Sequence, residues 1–180
     1  FLNSDLFAIP TNPDPFSIMA LETLKIMLPR WANWKNNAVA AFADSAYPLR
    51  SGLPKFGGSF IQRFNIRNGK AAKPYRDNID EIKLDISVRL LAALNKIGMT
   101  LPPEHYSENL KNNGYCLGEI ADFGGLLPKA YGTGVPVFDL SDQELGETGR
   151  VLDGMKTKRD QLKTQFSGMA DAVSSMLNYA

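Results

Sequence analysis

Leu6-Phe7-Ala8-Ile9-Pro10 is a short apolar run that passes at once into Thr11-Asn12-Pro13-Asp14-Pro15-Phe16-Ser17, a proline-punctuated loop ending in a helix start. Some fifty residues later the arrangement returns with a different loop, as Phe60-Ile61-Gln62-Arg63-Phe64-Asn65 and then Ile66-Arg67-Asn68-Gly69-Lys70. Strands that end in polar loops and lead into helices predict an open α/β sheet, whose ligands bind beyond the strand carboxyl ends.

The rest of the chain keeps the alternation. Asp14 suits a helix N-cap and Pro15 the first helical position, where a missing N–H costs nothing. Ile18, Leu21, Leu24, Met27, Leu28, Trp31 and Trp34 then recur at helical spacing, with Pro29 expected to kink or reset the helix. Residues 44–58 read as a loop and 58–64 as the second strand. A basic loop over 65–74 leads into an amphipathic helix over roughly 76–97, ended by Gly98. Residues 115–120 read as a third strand, 123–131 as a short helix and 135–140 as a fourth strand. Ser141 and Glu144 have capping-box spacing, ahead of a helical pattern over 143–178. Four strand–helix pairs predict a mostly parallel sheet with flanking helices and right-handed crossovers, part of a doubly wound, Rossmann-like fold. Four strands are few for such a sheet, so an unpaired edge is expected.

Charge is informative by position. The 180-residue chain carries a formal +1, with 44% hydrophobic and 22% charged residues, which are ordinary globular values. From Lys55 to Arg76, however, there are six basic residues and no acidic one, and Asp77, Asp80, Glu81 and Asp85 then reverse the sign. One cysteine, Cys116, excludes an intrachain disulfide. No run approaches the ~18 apolar residues of a membrane span and no signal peptide is visible. The expectation is a cytoplasmic protein without a membrane partner, built as a single domain over 1–180 or as the C-terminal portion of a larger one.

Four segments in order resemble the C-terminal half of ParA-type partition ATPases, in the ParA/MinD branch of P-loop proteins. They are Leu6–Pro10 with Pro13-Asp14-Pro15-Phe16-Ser17; Phe60–Lys70 with the helix start Tyr75–Ile82; Leu126-Leu127-Pro128-Lys129-Ala130; and Gly134-Val135-Pro136-Val137-Phe138-Asp139-Leu140. The resemblance implies a partial P-loop NTPase fold. It also implies work in plasmid or chromosome partitioning, a homodimer as the full-length protein, non-specific DNA and a centromere-binding partner protein. ATP or ADP and Mg²⁺ would be held only together with an N-terminal half. The chain does not begin with Met and has no glycine-rich phosphate loop followed by Lys-Ser or Lys-Thr. Without that nest of backbone N–H groups and its lysine, phosphoryl transfer lacks its electrostatic support, so this chain alone is expected to bind no cofactor and hydrolyse no ATP.

By the same resemblance, Gln62 and Arg63 at the end of the second strand face adenine, and Glu119 and Ile120 belong to the second base-contacting loop. Gln offers a base both a donor and an acceptor. The plainer reading of Gln62 and Arg63 is a polar pair satisfied by neighbouring backbone. Arg67, Lys70 and Lys73 are the DNA-contact candidates, since phosphate binding asks only for accessible positive charge. The alternative is a solvated loop balanced by the acidic helix start, or a non-catalytic module that uses the 55–76 segment on nucleic acid or an acidic partner. Lys156, Lys158, Arg159 and Lys163 read as the solvent face of the last helix, and His105 and Cys116 as structural. Trp31 and Trp34 read as core, with a partner hot spot as the alternative. Asp77, Asp80, Glu81 and Asp85 read as helix-dipole partners on a solvated face.

Overall fold

Asp14 starts the first helix in the way its sequence predicts. Its Oδ1 accepts the Ser17 amide at 2.8 Å, while the Ser17 hydroxyl accepts the Asn12 amide at 3.0 Å. Strand β1 (Leu6–Thr11) thus turns tightly into helix α1 (Pro15–Ala41). The structure, a computed structural model, describes residues 3–46, 49–67 and 70–179, and the Arg67 side chain lies outside that description.

Strand β2 (Lys55–Phe64) follows, and then a small hairpin of β3 (Ile66–Arg67) and β4 (Lys70–Ala71). Helix α2 (Lys73–Asp85) continues through a widened π turn (Ile86–Leu90) into α3 (Leu91–Lys96). A 3₁₀ turn (Pro103–His105) and α4 (Glu108–Asn112) precede strand β5 (Cys116–Ala121). Three helices close the chain: α5 (Leu126–Thr133), α6 (Asp142–Leu145) and α7 (Gly149–Leu177).

Leu6 pairs with Lys55 and Thr11 with Ile61, parallel; Ser59 pairs with Cys116 and Phe64 with Ala121, also parallel. The sheet order is β1-β2-β5. Each new strand is added on the same side, so right-handed crossovers place α1 and the α2–α3 unit together on one face. There Ile9, Phe56 and Ile61 of the sheet meet Leu21, Leu28 and Ala32 of α1 and Ile79, Ile82, Ile86 and Leu90 beyond. Each fully buried Ile, Leu or Phe among them contributes about 2 kcal/mol. The opposite face is covered by α7, whose Leu162 and Met169 join Ile120, Leu126, Val137, Leu140 and Leu145. The chain is therefore α/β, a three-stranded parallel sheet between helices, consistent with a Rossmann-like fold.

Several expectations are corrected. Residues 135–140 are not a strand. Gly134 ends α5 with a left-handed φ of 71°, Asp139 N–H closes a turn onto the Pro136 carbonyl, and Val137 and Leu140 bury against α7 instead of pairing. The basic loop folds back as the β3–β4 hairpin, and the helix after it starts at Lys73. Pro29 does not divide α1, because one lost bond to the Lys25 carbonyl is outweighed by buried side chains on both sides of it. The last helical stretch is split: Ser141 and Glu144 form the expected capping box on α6, then Gly146 and Gly149, both at positive φ, redirect the chain into α7. Trp31 and Trp34 are exposed, not core. Asp85 is buried, not on a solvated face.

Candidate functional site

The carboxyl ends of β1, β2 and β5 open beside one another, and the loops there are held by specific bonds. Thr11 donates its hydroxyl proton to the Phe60 carbonyl at 3.1 Å, and Asn78 of α2 donates to the Pro13 carbonyl at 3.0 Å. At the end of β2 the register against β5 slips between Gln62 and Phe64. Arg63 occupies the slip with φ 62°, a left-handed conformation uncommon for a residue other than glycine, and its side chain is exposed. Bulges of this kind re-aim side chains near sites.

Alternation along the strands then sorts the four predicted base-contact residues. Gln62 and Ile120 turn to the α7 face and line one cleft of about 460 Å³, with Pro10, Phe60, Phe166 and Met169 among its walls. Gln62 and Ser174 are the polar side chains in that otherwise apolar lining. Glu119 turns to the other face, where its carboxylate accepts a hydrogen bond from Lys83 of α2. Lys83 also donates to Asn113 Oδ1 at 2.7 Å, and Gln165 of α7 donates to the Glu119 carbonyl at 2.6 Å. The structure thus brings Gln62 and Ile120 together and separates them from Arg63 and Glu119.

Glu119, Ile66 and Gln165 line two adjoining clefts, of about 760 and 440 Å³, that wrap the carboxyl end of β5. Lys158 and Gln161 of α7 border the larger, and Lys70 and Arg76 the smaller. Lys70 and Lys73 are exposed, and neither makes an ion pair among the described residues. Arg67 lies in β3, opposite Lys70 across the hairpin. Among the described residues neither Asp77 nor Asp80 forms an ion pair with Lys70 or Lys73, although Asp80 lines the smaller cleft beside Lys70 and Arg76.

The second basic cluster is more engaged than a solvent face. Asp142 accepts from Lys156 at 2.7 Å and from Arg159 at 2.8 Å, and these bonds hold its carboxyl below the usual carboxylate range. Lys158 donates to the Asp122 carbonyl at 2.7 Å. His105 stacks on Tyr179 with ring centroids 3.9 Å apart. Cys116 is buried, and burial pushes its thiol pKa up, as befits a small core residue.

One feature escaped the sequence. Lys35 is buried at the other end of the sheet, bordering a cavity of about 160 Å³ with Asp5, Arg50 and Lys55. Burial, and secondarily the charge of Arg50, lowers its pKa. A lysine in a helical pattern carries no local sign that its turn faces inward.

Among the described residues no three His, Cys, Asp or Glu side chains gather as metal ligands, and no helix is long and apolar enough to cross a membrane. Set against known proteins, the chain matches no family model, no curated protein and no solved structure.

Proposed function

We propose that this chain is the C-terminal part of a ParA-like ATPase, supplying the wall that receives the nucleotide base and surfaces for DNA. The observation that carries the reading is the strand order. β1 is an edge strand among the described residues, yet it lies parallel to β2 and ends in the loop most constrained by bonds to its neighbours. The Asp5 carbonyl accepts the Lys55 amide, so Leu6 and Ala8 turn N–H and C=O, and Pro10 its carbonyl alone, to the unpaired side. Ala8 and Pro10 are also uncovered on the α7 face. A further parallel strand would continue the sheet there and place its own loop beside the 460 Å³ cleft.

The side chains in that cleft fit a flat heteroaromatic base: apolar walls, with the Gln62 amide to read a donor–acceptor edge. They do not fit a triphosphate with Mg²⁺, since no cation or carboxylate lines the cleft.

The test is titration of the protein with adenosine and guanosine while backbone amide resonances are followed. Weak, adenosine-preferring binding that shifts Gln62, Ile120 and Phe166 and is lost in Gln62→Ala is the expected result. Shifts elsewhere, or equal response to both nucleosides, would overturn it.

The exposed, unpaired Lys70 and Lys73 favour a second reading, a non-catalytic module that holds nucleic acid or an acidic partner through the 55–76 segment. That reading requires duplex binding by this chain alone at low salt, where the first expects only weak binding.

A further inference from the structure

Three cations border one small cavity at the amino ends of the strands. Lys35 of α1, Arg50 in the segment before β2, and Lys55, the first residue of β2, line about 160 Å³ together with Asp5, the lone carboxylate of the lining. The lining therefore carries a surplus of two positive charges. Lys55 opens β2 and Phe64 ends it, ten residues in all, so ~30 Å of strand separates this cavity from the carboxyl-end clefts. The basic segment of the sequence is thus divided between the two ends of the sheet.

Burial makes that surplus costly unless a counter-charge is present. Lys35 is 2% exposed, and an ammonium taken out of water is stable only when other groups replace its hydration. Burial first, and the repelling charge of Arg50 second, lower its pKa. Asp5 offsets part of the charge through Arg50, which lies 2.6 Å from its Oδ1, and Lys55 donates one N–H to the Gly98 carbonyl at 2.6 Å. A guanidinium has five N–H donors and an ammonium three, so these bonds leave Arg50 and Lys55 with donors over. Ser4 and Ser51 add hydroxyls to the same lining.

We propose that this cavity binds a phosphate group, free or as a monoester, through Lys35, Arg50 and Lys55. Its volume falls below the ~300–1,000 Å³ of pockets that enclose drug-sized ligands, and so suits one compact charged group. A carboxylate would leave one of the two surplus charges unmatched. A doubly charged tetrahedral group matches both and presents acceptor oxygens to donors arriving from different elements. Backbone phosphates of nucleic acid carry a single charge each and match the surplus no better than a carboxylate. The cavity shares no lining residue with the carboxyl-end clefts, so the site stands or falls apart from the proposed function.

The 180-residue protein is titrated with inorganic phosphate, and separately with glycerol 3-phosphate, against sodium chloride at matched ionic strength, while backbone amide resonances are followed. The expected result is saturable shifts at Ser4, Lys35 and Lys55 with a midpoint of ~1 mM or below. Arg50→Gln, at a side chain 59% exposed, should weaken binding about tenfold, the effect of one charge-assisted hydrogen bond. Lys35→Met should weaken it as much, and if that buried substitution does not fold, the two exposed ones still decide the matter. Asp5→Asn removes the competing carboxylate and keeps its backbone, so it should tighten binding about threefold, which a merely structural role would not do. Glycerol 3-phosphate binding as well as phosphate identifies esters as ligands, and a response to phosphate alone identifies the free ion; either supports the site. Unsaturated drift up to ~20 mM, an equal response to chloride, or shifts centred on Lys70 and Lys158 would overturn the proposal. So would binding left unchanged by both Arg50→Gln and Asp5→Asn.

Discussion

Lys25 of α1 donates to both carboxylate oxygens of Asp85 on α2, at 3.1 and 3.3 Å, across 60 residues of chain. Arg89, one turn beyond Asp85, reaches the same carboxylate at 3.2 Å. The pair sits where α1 and α2 cross above the sheet, so it fixes the relative rotation of the two helices that carry most of that core.

Because Asp85 is buried, removing Lys25 leaves its carboxylate only the exposed Arg89 to pair with. Lys25→Ala should lower stability by about 3 kcal/mol. The urea midpoint measures it, and Glu22→Ala, at an exposed partner of the same lysine, should cost well under half as much.

Tyr106 supplies an alkaline limit. Its hydroxyl donates to the Phe56 carbonyl at 2.7 Å and accepts the Leu101 amide at 3.0 Å, and burial raises its pKa to about 12 from an ordinary 10.0. The unfolded chain gives up this proton near pH 10 while the folded protein keeps it, so this contribution is whole below pH 10 and is lost as pH rises towards 12. Denaturation followed between pH 9 and 12 should show that loss in the wild type and not from this group in Tyr106→Phe. The variant should itself be about 2 kcal/mol less stable at pH 7, having left a buried carbonyl and amide unpaired.

Two glycines should differ in what alanine costs. At Gly118 a Cβ would fall 2.4 Å from the Met169 sulfur. A thioether can swing aside, so about 1–2 kcal/mol is expected. At Gly58, φ is 131°, and a Cβ would sit 2.9 Å from the Tyr115 carbonyl oxygen, which already accepts the Ser59 amide. Backbone cannot yield in that way, and Gly58→Ala should be the more damaging by at least ~1 kcal/mol. Thermal melts of the two variants side by side decide it.

If the hairpin contacts duplex phosphates, the salt dependence of binding will show it. Lys70→Ala and Lys73→Ala should each weaken binding equally across DNA sequences and flatten the slope of log K against log salt by about 1. Fluorescence anisotropy between 25 and 200 mM salt (~ the range in which such slopes are read) provides the measurement. Unchanged slopes would remove these lysines from the interface.

Local chemistry was legible where a signal is complete within a few residues. The Asp14 cap and the Ser141–Glu144 capping box follow from side chains that satisfy their own nearby backbone, the stop at Gly98 from a left-handed φ that glycine allows, and the three strands from short apolar runs bounded by loops. The reading of 135–140 as a strand failed because an apolar run with a proline has no period that tells a paired strand from a turn packed on a helix. The strand ends that carry Gln62, Arg63, Glu119 and Ile120 were legible and their faces were not: Gln62 and Ile120 turn to α7, Glu119 to the other face, and the slip re-aims Arg63 alone.

What the sequence alone determined is the alternation of strands and helices, the loops at the carboxyl ends, and a basic segment free of acids. Those depend on neighbours in the chain. Only the tertiary structure decided that Asp85 and Lys35 are inside, that Trp31 and Trp34 are outside, and that Gln62 shares a cleft with Ile120 but not with Glu119. Each of these depends on which side of an element meets another element far along the chain, and helical spacing names two faces without saying which one the sheet will cover.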